Sequence, residues 1–129
     1  MNTPGALTWF IPDAYLPPPI VADGPYVGHE AVCVLNVSAQ DAVLRLDFYF
    51  EDRPPVKDVT VTVPAERTRH LHLDKPEQIG GFAVPVGVPY AIRIHSNVPV
   101  IVQYSRLDTT QTQCTLMTTM AYPGDGGPA

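Results

Sequence analysis

Residues 42–50 read AVLRLDFYF, and they set the architecture. Leu44, Leu46, Phe48 and Phe50 fall on one side of an extended chain, and Val43, Arg45, Asp47 and Tyr49 on the other. A two-residue period of this kind makes a half-buried strand and cannot make an amphipathic helix. The pattern recurs outward from there. Val59, Val61 and Val63 alternate with Thr60 and Thr62 until Pro64 closes the run. Tyr90, Ile92 and Ile94 alternate with Ala91, Arg93 and His95. Stretches 31–37, 67–73, 100–107 and 115–121 are also β-rich, and 7–11 adds one at the N-terminus. Nowhere do apolar residues recur at helical spacing over three turns. The 15 prolines and 9 glycines fall between these runs, where they punctuate many short strands. The expectation is an all-β fold, an antiparallel β-sandwich of about seven or eight strands, jelly-roll-like.

The chain has 129 residues, enough for one core without metal or disulfide staples. We expect a single domain over residues 1–122, with the tail PGDGGPA (123–129) disordered because it has nothing to bury. Two long loops are expected, one opening at Pro17-Pro18-Pro19 and reaching about residue 28, the other over 76–87. Apolar residues make up 45% of the chain and no run approaches a membrane span. The start MNTPGALTWFIPDAY lacks the basic-then-apolar pattern of a secretory signal. Cys33 and Cys114 sit in apolar strand contexts, so buried free thiols in a reducing compartment are expected rather than a disulfide. The net charge of −5, with no Lys/Arg cluster, argues against nucleic acid as a partner.

Two places conflict with simple patterning. In PAERTRHLHL (64–73), Arg67 and Arg69 are in register with Leu71 and Leu73, so inward leucines imply inward arginines. A bulge near Pro64-Ala65 would reverse that facing. In HSNVPVIVQYSRLD (95–108), Val100, Val102 and Tyr104 share a face that ends at Arg106, and Ile101, Gln103, Ser105 and Leu107 form a second, half-polar face. That strand is expected to be buried on both sides at first and then to emerge toward something polar.

Several motifs in order carry a resemblance. His29-Glu30 precedes an apolar strand ending in Asn36, PAERTRH stands at 64–70, and SNVP is followed by QYSRLD. With Trp9 and the turn Tyr15-Leu16-Pro17-Pro18, the chain resembles the sensory rhodopsin transducer family from Trp9 to Tyr122. The resemblance implies a small cytoplasmic β-sandwich assembling as a cyclic homotetramer. It implies either a small-molecule ligand, a sugar or related metabolite, or a membrane photoreceptor as partner. The chain departs from the family's pattern at His72 and His95 and over residues 74–89.

Recognition of a sugar-like ligand needs planar bidentate groups for vicinal hydroxyls and an aromatic face for the ring. Glu30, Asn36, Arg67, His70, Gln103, Arg106 and Asp108 can supply the first, and Trp9 the second. Each has a plainer alternative. Asn36 suits a turn, Arg106 and Asp108 can pair locally, and Trp9 can be core. Glu30 and Arg67 are the leading pair, lining a pocket or meeting at a subunit interface. His70 and His72 share a strand face, but H-x-H alone does not define a metal site, so no metal and no cofactor are expected. There is no G-x-S-x-G elbow, phosphate loop or H-E-x-x-H, and a catalytic role is not expected. The sequence thus points to a ligand-binding sensor or transducer, or else to a protein-interaction module relaying a photoreceptor's signal without a small ligand.

Overall fold

A computed structural model describes residues 3–19, 26–111 and 113–124. It is an antiparallel all-β structure of eight strands: β1 (Ala6–Tyr15), β2 (His29–Asn36), β3 (Ala42–Phe50), β4 (Val56–Val63), β5 (Arg67–His72), β6 (Pro89–Asp108), β7 (Thr115–Met120) and β8 (Tyr122–Pro123). One layer runs β4-β3-β6-β1-β8. The other runs β5-β2-β6-β7. β6 belongs to both.

The sequence reading treats residues 90–95 and 100–107 as separate strands, but they form one strand of 20 residues. Its even-numbered residues from Tyr90 to Tyr104 are all buried, so the inward face continues through Pro99 without a break. The change of layer explains why a proline is tolerated. Pairing with β3 ends at Ser96, and pairing with β2 begins at Ile101. The missing N–H of Pro99 therefore falls where the ladder is changing hands.

The core forms between the layers from the residues that the alternation predicts. Leu44, Leu46 and Phe48 of β3 meet Val32 and Val34 of β2, Ile92, Ile94, Val100 and Val102 of β6, and Trp9 and Ile11 of β1. The 76–87 loop carries a 3-10 turn at Pro76–Gln78 and buries Ile79 and Val84 against this core. Residues 20–25 of the loop predicted over 17–28, residue 112 and residues 125–129 of the tail lie outside the described residues. Among the described residues no helix is long and apolar enough to cross a membrane.

Two expectations need correction. Cys114 is exposed rather than buried, and Cys33 is only half-buried on the outer face of its layer; both are free. Arg67 and Arg69 do share the facing of Leu71, but both are exposed. β5 begins beyond the rim of the core, so its first inward positions have little facing them. Arg69 reaches the Thr62 carbonyl of the other layer at 3.1 Å, and Arg67 donates to the adjacent Glu66 carbonyl at 2.9 Å. The chain turns at Pro64–Glu66, where Glu66 has φ 55°.

Candidate functional site

The inward face of β2 reads Glu30, Val32, Val34, Asn36, a hydrophobic pair closed by a polar residue at each end. Glu30 has 0% of its surface exposed. A carboxylate in that position needs donors, and three tyrosines on two strands bring them. Tyr90, near the start of β6, donates its hydroxyl to Oε1. Tyr104, fourteen positions along the same strand, donates to Oε2. The backbone N–H of Tyr15, at the end of β1, also donates to Oε2 at 3.2 Å. The shared strand makes this possible, because Tyr90 lies in one layer and Tyr104 in the other.

Burial and hydrogen bonding oppose each other at Glu30. Removal from water raises its pKa above the ordinary 4.5, while the two tyrosines, the Tyr15 amide and the charge of Arg106 lower it; burial is the larger effect and the pKa is raised. The same burial, with the Glu30 charge beside them, pushes up the phenols of Tyr90 and Tyr104. Both hydroxyls therefore stay protonated as donors, and Glu30 is the member of the group whose state can change.

Arg106 is the register partner of Glu30 across β2 and β6. It is half-buried, and its guanidinium carbon lies 5.9 Å from the ring centroids of both Tyr15 and Tyr104. Among the described residues no carboxylate comes within the 4.0 Å of an ion pair with it. Asp108 takes Thr110 instead, accepting from its N–H at 2.8 Å and its hydroxyl at 2.6 Å, and these bonds lower its pKa. The local Arg106–Asp108 pair is not formed. A cation over two aromatic rings, with no ion-paired carboxylate among the described residues, can take an anionic or strongly accepting group.

The structure distributes the other sequence candidates. Arg67 pairs with Asn36, six positions from Glu30 along β2, or about 20 Å at the usual strand rise. The two residues chosen as the leading pair are thus at opposite ends of one strand. Asn36 is fully buried and serves the turn, as its plainer reading had it. His70 is exposed on the outer face, beside Cys33. Gln103 is on that same face and donates to Thr118 Oγ1 at 2.8 Å. Trp9 is core, its indole N–H donated to the Val100 carbonyl at 2.9 Å and the Ala6 carbonyl at 3.2 Å. Only Glu30 and Arg106 stand in one centre, with Asp108 just beyond on the same strand face.

Tyr15, Tyr90 and Tyr104 were not among the sequence candidates. Their signal was present, since a tyrosine at an inward position of an alternating strand must find a partner for its hydroxyl. No group of three His, Cys, Asp or Glu able to hold a metal occurs among the described residues. His72 stacks on His29 with ring centroids 5.0 Å apart, and burial, then the neighbouring His29, lowers its pKa.

The fold and the site together define an all-β sandwich with a buried, tyrosine-held carboxylate at its centre. The family model for the Anabaena sensory rhodopsin transducer matches residues 4–123, and the chain belongs to that family. Among solved structures it is similar to a Thermotoga maritima protein described as Thermotoga maritima 1070. The identity there is 39%, with a TM-score of 0.84, covering 97% of this chain and 100% of that one. It is also similar to the Anabaena sensory rhodopsin transducer itself, at 31% identity and a TM-score of 0.64, covering 81% of this chain and 98% of the other. No curated protein matches.

Proposed function

We propose that this protein is a cytoplasmic, non-enzymatic sensor domain that binds a small polar ligand, of sugar or related metabolite class, at Arg106 beside the Glu30 centre. The observation that carries the reading is Arg106, which lies over two aromatic rings with no ion-paired carboxylate among the described residues, beside a buried carboxylate of raised pKa. A ligand that brings an anionic or hydroxyl oxygen to Arg106 alters the field at Glu30. The two tyrosines then carry that change into both layers, since each is part of the shared strand. Family membership supports a transducing role, and a homotetramer is the assembly it suggests.

The test is thermal unfolding of the whole protein with neutral sugars, sugar acids and sugar phosphates, in wild type and Arg106→Ala. A ligand at a hundred times its Kd stabilises by about 2.7 kcal/mol. At least one compound should raise the wild-type midpoint, and Arg106→Ala should lose most of that rise. No rise with any compound, or an equal rise in the variant, removes the reading.

The similarity to the Anabaena transducer favours a second reading, a relay module for a membrane photoreceptor with no small ligand. A rhodopsin gene beside this one favours the relay, and sugar-metabolism genes favour the sensor.

A further inference from the structure

The outer face of the β3–β6–β1 layer holds a cleft of about 280 Å³, away from the Glu30 centre. The residues lining it sit beside a local distortion of the sheet. The β3–β4 register shifts between Leu46 and Phe48, and opposite that point Asp58 takes φ 60°. A non-glycine residue in the left-handed region is uncommon, although aspartate tolerates it better than most. Asp47, only 6% exposed, holds the distortion in place. Its Oδ1 accepts the Asp58 N–H at 2.9 Å, and its Oδ2 accepts Arg93 Nε at 3.0 Å and Nη2 at 2.7 Å. Burial would raise the Asp47 pKa, but these donors and the charge of Arg93 outweigh it. Asp47 is therefore saturated. It is framework, and it fixes Arg93 in the wall.

Arg45 and Asp58, which also line the cleft, are held differently. Arg45 and Asp58 approach to only 3.9 Å, with side chains 54% and 72% exposed. A pair that long and that wet contributes almost nothing to stability, so opening it costs little. His95 is beside Arg45 in the ladder, its Nδ1 2.9 Å from the Thr8 hydroxyl. Phe10 closes one side as an apolar wall.

Charge balance selects the ligand class. A plain anion would face Asp58 on a protein of net charge −5, and a plain cation would face Arg45 and Arg93. A molecule with both charges close together satisfies Arg45 and Asp58 at once. We propose that this cleft binds a small zwitterion, an α-amino acid in chemical class, its carboxylate taken by Arg45 with His95 and its ammonium by Asp58. The Asp47–Arg93 pair holds the shape of the site, and Phe10 meets the ligand's carbon skeleton. This site is separate from the Arg106 centre and does not rest on that reading.

Calorimetric titration of the whole protein with standard L-α-amino acids, each alone, tests the proposal. At least one should bind saturably. For the tightest, the matching deaminated acid and decarboxylated amine should each bind at least about tenfold more weakly, as losing one charged contact predicts. Arg45→Gln and Asp58→Asn should weaken the amino acid by a similar factor while leaving the unfolding midpoint nearly unchanged. Arg106→Ala should bind it as wild type does, whatever that change does to other ligands. Saturable binding of no amino acid overturns the proposal. So does equal binding of the deaminated acid, which makes the cleft an oxyanion site, and so does binding insensitive to both Arg45→Gln and Asp58→Asn.

Discussion

The two ends of β2 bury a polar side chain each, and they satisfy it in opposite ways. Asn36 is served by nearby backbone: its Nδ2 donates to the carbonyls of Gln40 at 2.8 Å and of Val63 and Pro64 at 3.2 Å each, while its Oδ1 accepts the Ser38 N–H at 3.0 Å. Glu30 is served mainly by side chains sixty and seventy-four positions away, both of them phenols. The amide is neutral and its partners are fixed, so it ties the turn after β2 to the β4–β5 turn and has one state. The carboxylate is ionisable and desolvated, so the same degree of burial raises its pKa and shifts it toward the protonated state. A buried polar group thus marks architecture or function according to whether its charge can change.

The largest effect should come from the architectural end. Asn36→Ala leaves several buried backbone groups without a partner, and a loss of about 2–4 kcal/mol is expected. In urea this appears as a lower midpoint with an unchanged slope. A loss below about 1 kcal/mol would break the comparison. Glu30→Ala should cost less, about 1–3 kcal/mol, because the unpartnered tyrosine hydroxyls are partly offset by removing a desolvated charge.

The third prediction concerns pH. The folded pKa of Glu30 is raised, so in the window from about 4.5 up to that pKa the native state binds more protons than the unfolded one. The Glu30 contribution is then fully present below 4.5 and is lost as pH rises through the folded value. Glu30→Gln should remove this fall. The difference between the wild-type and variant stability–pH curves isolates it from Asp47 and Asp108, whose lowered pKa values slope the other way. A difference curve that is flat, or that rises with pH, contradicts the assignment. The smallest effect should be at Arg67, beside Asn36 in register but exposed. Arg67→Ala should shift stability by no more than about 0.5 kcal/mol and leave ligand-induced stabilisation untouched.

Sequence alone determined the facing within most strands and most of the core, because a two-residue period is a local property of each segment. Leu44, Leu46 and Phe48 could be placed inward without knowing what they met. Glu30 was legible in the His29-Glu30 motif ahead of an apolar strand, Arg106 at the polar end of another, and the family in the order of its motifs. The pairing of Glu30 with Arg106 was not, and neither was the continuity of β6 through Pro99. Both depend on which strands become neighbours and in what register, and a one-residue period shift or a change of layer leaves no local trace. The outer cleft shows the same limit. Nothing in the alternation of β3 and β4 announces the left-handed turn at Asp58, which is held by a carboxylate eleven residues away. Facing is set within a strand; the groups that meet at a site are set only when the layers close.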